Sequence, residues 1–210
     1  AILIEDGAFP SDTYAVETHL ASRNLDPKKN LLRIAPREGE VLLRTEDVVA
    51  FIDTHASRLA TILLGGVNYR TGQLLDMQAI TAAAHVHSIT VGFDLAHAAG
   101  NVPLALHEWN VDFAAWCSYK YLNSGPGAIA GAFIHSRHIE DPSVLRYGGW
   151  WGNDPSTRFN MHAETAFIPI ASADSWQLSN PPILSLAPLL ASLAIFDACG
   201  IDALREKSRV

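Results

Sequence analysis

Residues Asp112–His135 read DFAAWCSYKYLNSGPGAIAGAFIH. Two apolar runs of strand length, Phe113 to Cys117 and Ala128 to Ile134, flank a turn built from Ser124, Gly125, Pro126 and Gly127. Apolar runs bounded by turn residues predict buried strands. Lys120 stands between them, at the end of the first run and facing the glycine-rich turn. A lysine held there can be desolvated, which lowers its pKa and frees the amine as a nucleophile. Imine chemistry requires such an amine. A lone lysine in a loop is usually a solvated surface charge, so the reading of Lys120 depends on what else the chain brings to strand ends.

Upstream, residues 90–101 read TVGFDLAHAAGN, where Asp94 closes the apolar run Val91 to Phe93 and His97 follows three positions later. A carboxylate at the carboxyl end of one strand and an amine at the end of a later one is how an α/β domain presents a pyridoxal phosphate site. Asp94 would pair with the protonated pyridine nitrogen and keep the ring cationic, able to accept electrons when a bond at the substrate α-carbon breaks. Lys120 would hold the cofactor as a Schiff base. Taken singly, Asp94 reads as a helix cap or turn residue. With Lys120, with Tyr119 directly before that lysine and with small residues after it, the cofactor reading prevails.

The rest of the chain has the periodicity that such a site needs. Strand-like runs at Ile2 to Ile4, Leu31 to Ile34, Thr61 to Leu64, Thr90 to Phe93, Phe113 to Cys117 and Ala130 to His135 alternate with amphipathic segments at Ser11 to Arg23, Thr45 to His55 and Asp76 to His87. That alternation predicts a doubly wound α/β domain, a mostly parallel sheet sandwiched by helices. Ser11 and Thr45 are expected to cap their helices. Asp12 lies where a helix starts at a strand's carboxyl end, a place where open α/β sheets also seat cofactors. Residues 143–182 break the pattern with RYGGWWGNDPSTRF and QLSNPPIL, loops of a length that usually carries function. A last helix, Ile183 to Cys199, bears a stripe of Leu186, Leu189, Leu190, Leu193 and Phe196 that suits a core or subunit face.

Composition narrows the function class. The 210 residues are 49% hydrophobic and 18% charged, with a formal net charge of −7, which suits one globular domain and argues against disorder. No Lys/Arg cluster or basic amphipathic stretch points to nucleic acid or an anionic membrane, and a small-molecule substrate is expected. The two cysteines, Cys117 and Cys199, are too few for a disulfide framework, and Cys117 is read as ordinary buried core. No apolar run approaches the length of a membrane span and the first residues do not read as a charged-then-apolar leader, so neither a span nor a signal peptide is expected. No metal is expected. The chain starts without Met inside what reads as a buried strand, like a piece of something longer.

Asp94, Ala96, His97, the string WCSYKYLNSGPGAIAGAFIH, Trp150 and Trp151 before Gly152, the STRF of Ser156 to Phe159, and Ser179-Asn180-Pro181-Pro182 together resemble kynureninase over essentially the whole chain. An aspartate and a lysine are shared by many pyridoxal phosphate enzymes; SYKYLN, GWWG with STRF, and SNPP in that order are a much narrower set. The resemblance implies the aspartate aminotransferase fold (fold type I), with residues 1–210 as the cofactor-binding large domain. A preceding segment would carry a phosphate-loop threonine, and a carboxyl-terminal small domain the arginine for the substrate carboxylate. It also implies a cytoplasmic homodimer with a shared active site, hydrolysing L-kynurenine or 3-hydroxykynurenine to anthranilate or 3-hydroxyanthranilate plus L-alanine, in tryptophan catabolism or on the way to NAD.

By the same resemblance Lys120 anchors the cofactor and Asp94 pairs with its ring nitrogen. Phe9 of the FPSD string, Phe9-Pro10-Ser11-Asp12, stacks on the ring, and Asp12 completes that wall. His97 lies beside the cofactor, and Tyr119 bonds the phosphate and acts on the substrate carbonyl. Trp150 and Asn180 reach the site from the neighbouring subunit. Gly65 occupies a position where relatives can carry a serine near the phosphate, and Asn153 one where some carry histidine. Plainer readings stay open: Phe9 as packing, His97 as the cap of its turn, Trp150 and Trp151 as loop anchors, Asn180 as a turn end. Another pyridoxal phosphate enzyme on this fold, an aminotransferase or a cysteine desulfurase, and a cofactor-less binding relative are the alternative functions.

Overall fold

The computed structural model describes residues 1–209. Along it run β1 (Ile2–Glu5), α1 (Pro10–Ser22), α2 (Pro27–Asn30), β2 (Leu31–Ile34), α3 (Thr45–His55), β3 (Thr61–Gly65), α4 (Met77–Val86), β4 (Thr90–Asp94), β5 (Phe113–Trp116), β6 (Gly131–Ile134), α5 (Ser136–Glu140), α6 (Ile183–Cys199) and α7 (Ile201–Lys207). The strands form one sheet in the order β2-β1-β3-β4-β5-β6, with every pair parallel except β5 and β6. The fold is therefore α/β with a mostly parallel, mixed sheet.

Alternation along the strands decides which residues meet which layer. Leu3, Ile62, Leu64, Val91, Phe93 and Ala114 turn to one face, where Val48 and Ile52 of α3 and Met77, Ile80 and Ala84 of α4 close the main core. Ile4 turns to the other face and meets Val16 and Leu20, one turn apart on α1. The second face is covered unevenly. Helix α1 lies near β1 and β3, while Ala115 of β5 and its partner Ala132 of β6 are exposed. The expected helical sandwich is thus closed on one face and half open on the other, because no helix among the described residues follows β4 or β5 onto that side. Leu189 and Phe196 of α6 pack on the main core while Leu184, Leu190 and Ile195 are exposed. Among the described residues no single helix is long and apolar enough to cross a membrane.

Two helix starts differ from expectation. Helix α1 begins at Pro10, with Phe9 as N-cap and no side-chain cap bond; proline at the first position needs no N–H partner and arrives with helical φ, so Ser11 is left free. Helix α3 starts after Arg44, likewise without a side-chain cap. There Asp47, in the first turn, pairs instead with Arg37, which donates to it at 2.6 and 2.7 Å.

The amino ends of the central strands are tied by one buried carboxylate. Asp112, just before β5, accepts from the Val91 N–H at 2.7 Å and from the Arg137 guanidinium at 2.5 and 3.1 Å. His85 Nε2 and His138 Nε2 lie 2.9 and 2.6 Å from it. Burial works to raise its pKa, yet the bonds from His85, Arg137, Val91 and His138 outweigh that and hold it at about 2.

Candidate active site

The strand order places a crevice before any side chain is considered. From β1 the chain moves outward to β2, then returns to the other side of β1 to build β3, β4 and β5. Ligands of open α/β sheets sit at the carboxyl ends of strands where the winding reverses. A cavity of about 190 Å³ opens there, lined by residues from the ends of β1, β3, β4 and β5.

Each wall has a local cause. After β1 the chain turns through Gly7, whose φ of +76° suits glycine, and delivers Phe9 and Asp12 at the start of α1. Asp94 ends β4, where its Oδ1 accepts from the Ala96 N–H at 2.8 Å and so folds residues 95–100 into the turn that bears His97. After β5 the segment 118–124 is pinned by three serines. Ser118 Oγ donates to Ile129 O at 2.5 Å, Ser124 Oγ donates to Ser118 Oγ at 2.6 Å, and Ser192 of α6 donates to Leu122 O at 2.5 Å. Lys120 is thereby held on a fixed loop rather than at the end of a mobile one.

Lys120 Nζ lies 3.1 Å from His97 Nε2 and 5.9 Å from the ring centres of both Phe9 and Tyr119. Burial and the lysine charge lower the His97 pKa, against a smaller opposing pull from Asp94. The neutral imidazole can then accept a hydrogen bond from the ammonium. Asp12 and Asp94 are neighbours, and burial followed by the Asp94 charge pushes the Asp12 carboxyl up to about 6, with Lys120 pulling the other way. Two carboxylates sharing so small a space call for a proton or a cation between them.

The cavity thus brings together Phe9, Ser11, Asp12, Gly65, Asp94, His97, Tyr119 and Lys120. Pro10 does not line it, being committed to the helix start. Trp150 and Asn180 are not brought to it either. Trp150 packs edge-on to Phe159 at 5.7 Å, and Arg158 stacks over Trp151 at 4.4 Å, so the GWWG and STRF strings fold onto each other. Asn153 is buried there, donating to Thr157 Oγ1 at 3.0 Å and accepting from the Ile168 N–H at 3.1 Å. Asn180 is exposed, against Ser179. Cys117 is corrected from core to cavity: it lies one residue past β5, partly exposed, where the chain has left the sheet.

Besides Cys117 and the apolar Ala8 and Val67, the lining residues that escaped sequence reasoning are Glu5, Asn68 and Tyr69. Glu5 offered a signal, since a charged residue ending a buried apolar run marks a strand end at a crevice. Asn68 and Tyr69 sit in a turn and offered none.

The Aminotransferase class-V family profile matches residues 25–209. The chain is 54% identical over 207 residues to a kynureninase of Salinispora tropica, covering 99% of this chain and 48% of that protein. It is 52% identical over 216 residues to kynureninase 2 of Aspergillus oryzae, covering 99% and 46%. The chain therefore spans about half the length of the curated relatives it matches. Among solved structures it resembles the cysteine desulfurase CsdA of Escherichia coli, with a TM-score of 0.73, 17% identity, and coverage of 96% of this chain and 46% of that one. A cystine C-S lyase gives 0.75, 19%, 95% and 50%; at such identities the likeness speaks for the fold alone.

Proposed function

The chain belongs to the Aminotransferase class-V family, and on that premise we propose that it is the cofactor-binding large domain of a pyridoxal-phosphate-dependent hydrolase. Its substrate is L-kynurenine or 3-hydroxykynurenine, cleaved with water to anthranilate or 3-hydroxyanthranilate and L-alanine, in cytoplasmic tryptophan catabolism. The observation that carries the reading is the meeting of the Lys120 amine, the Phe9 ring and the Asp12–Asp94 carboxylate pair in a single crevice. The named relatives supply the substrate.

The residues fit the cofactor. Lys120 is the one lysine lining the cavity among the described residues, and it would anchor the aldehyde. Asp94 and Asp12 hold a surplus of negative charge that a protonated ring nitrogen relieves, and Phe9 offers a ring face. When bound, the cofactor supplies an electron sink for the bonds at the substrate α-carbon.

This chain's own groups then divide the work. With substrate bound, the free amine of Lys120 would be the base that takes the α-proton. His97 accepts a hydrogen bond from its nitrogen and keeps it aimed. Asp94 would hold the positive charge at the ring nitrogen of the bound cofactor. Tyr119, half exposed at the cavity mouth, handles protons at the γ-carbonyl as water adds and the carbon–carbon bond breaks. Trp150 and Asn180, which do not line this cavity, act in the cavity of a second copy within a homodimer.

Incubating the intact protein with kynurenine and with 3-hydroxykynurenine, following anthranilate fluorescence and alanine release, tests the reading. Equimolar release of both products supports it. Amino-group exchange with a keto acid in place of cleavage would move the protein to the aminotransferases.

A further inference from the structure

One buried pair sews the turn after β3 to the end of β1. Glu5 closes β1 at 7% exposure, and its Oε1 accepts from Asn68 Nδ2 at 2.7 Å. The other groups of Asn68 are committed to its own turn. Its Oδ1 accepts from the N–H groups of Arg70 and Thr71, both at 2.9 Å, its N–H donates to Gln73 O at 2.8 Å, and its carbonyl accepts from the Gly72 N–H at 2.9 Å. The turn cannot shift without breaking the bond to Glu5, and Glu5 sits on the rigid sheet.

The next residue, Tyr69, is carried out of this turn onto Phe9. The two rings meet edge to face, centroids 5.2 Å apart and planes at 86°. Both are partly open, Phe9 at 45% and Tyr69 at 38%, so neither is locked by core packing. A ring that exposed keeps alternative rotamers unless a neighbour removes them. Glu5, Asn68, Tyr69 and Phe9 all line the cavity.

We propose that Glu5 and Asn68 are positioning residues of the cofactor site: they fix the turn that holds Tyr69 edge-on against Phe9, and so set the plane of the aromatic wall on which the cofactor ring rests. The inference rests on the reading of the cavity given above, and deepens it by naming what orients the wall. Glu5 acts as a hydrogen-bond acceptor in this role, so an amide at position 5 can replace the carboxylate.

The test uses the intact protein, stripped of cofactor and titrated with pyridoxal phosphate. Visible absorbance reports binding, and induced circular dichroism reports ring orientation. Glu5→Ala, Asn68→Ala and Tyr69→Ala should each weaken binding about tenfold, the size expected for losing one buried hydrogen bond or its consequence, and lower the dichroism per bound cofactor. Glu5→Gln should stay within about twofold of the parent, because its amide oxygen still accepts from Asn68. Tyr69 is peripheral enough to be replaced without threatening the fold, which keeps the test alive if Glu5→Ala does not fold. A parent protein that takes up no cofactor takes down the site reading and this inference together. A parent that binds normally, with Tyr69→Ala and Asn68→Ala matching it in affinity and dichroism, overturns the relay alone. So does a Glu5→Gln variant as impaired as Glu5→Ala.

Discussion

Lys120 Nζ and His97 Nε2 are 3.1 Å apart across the cavity, and the lysine charge is one of the two causes that lower the imidazole pKa. The contact ties the reactive amine to a group that can be followed separately. Lys120→Ala should abolish turnover and the visible absorption of covalently held cofactor. In the cofactor-free protein it should also move the His97 titration upward, since a repelling cation is gone and Asp94 remains. Imidazole NMR against pH reads the second effect. An unmoved His97 midpoint would mean that the two side chains do not meet in solution.

The carboxylate pair carries a pH signature. Asp12 is raised from its ordinary 3.8 to about 6, by burial first and Asp94 second. A folded-state pKa above the unfolded one means that the native chain holds more protons in that window. The stability Asp12 contributes is thus complete below about pH 4 and lost as pH rises through about 6. Thermal melts of cofactor-free parent and Asp12→Asn should therefore show the parent losing ground to the variant across that interval and holding a constant difference above it. Asp94→Ala should lower kcat of the loaded protein by several orders of magnitude, because its charge matters most as electrons move into the ring. A loss of less than tenfold in kcat would remove Asp94 from that role.

Much of this was legible because strands and their ends are local. Leu31–Ile34, Thr45–His55 and Ile183–Cys199 have the bounds that their apolar spacing predicts, and once β4 and β5 are parallel neighbours, Asp94 and Lys120 must share an edge. What escaped is what the chain folds back to make. Glu5 finds Asn68 63 residues away. Asp112 is surrounded by His85, Arg137 and His138, none of which announces the others in sequence. Cys117 was misplaced by a single residue at a strand end, enough to move a side chain from core to cavity.

Asp112 should matter for folding and not for chemistry. It lies at the amino ends of β4 and β5, opposite the end that carries Asp94 and Lys120, and its side chain is 5% exposed. Removing a buried carboxylate that gathers several donors costs about 3–5 kcal/mol. Asp112→Ala should lose about that much in urea unfolding at neutral pH while the folded fraction keeps its cofactor affinity. The folded pKa of about 2 against an ordinary 3.8 fixes the sign: the contribution is present above about pH 4 and disappears as pH falls toward 2. A gap between parent and variant that did not narrow in acid would show that the carboxylate charge is not what the histidines and Arg137 hold.

Gly65 and Gly92 sit on adjacent strands and should respond in opposite ways. A Cβ at Gly65 would meet nothing nearer than Val67 O at 3.5 Å, an ordinary contact, and would stand at the cavity rim. Gly65→Ser should fold with stability within about 0.5 kcal/mol of the parent, and its hydroxyl should tighten cofactor binding if the phosphate lies on that side. At Gly92 a Cβ would fall 2.1 Å from the Phe113 ring, which lies across the strand at the paired position. Something must move, and Phe113 borders a groove it shares with Val16 and Leu63. Gly92→Ala should therefore lose about 1–3 kcal/mol, the usual penalty for overpacking. Chemical unfolding of the two variants side by side reads the contrast. Equal stabilities would mean that Phe113 does not rest on Gly92, and that the half-open face of the sheet is packed in some other way.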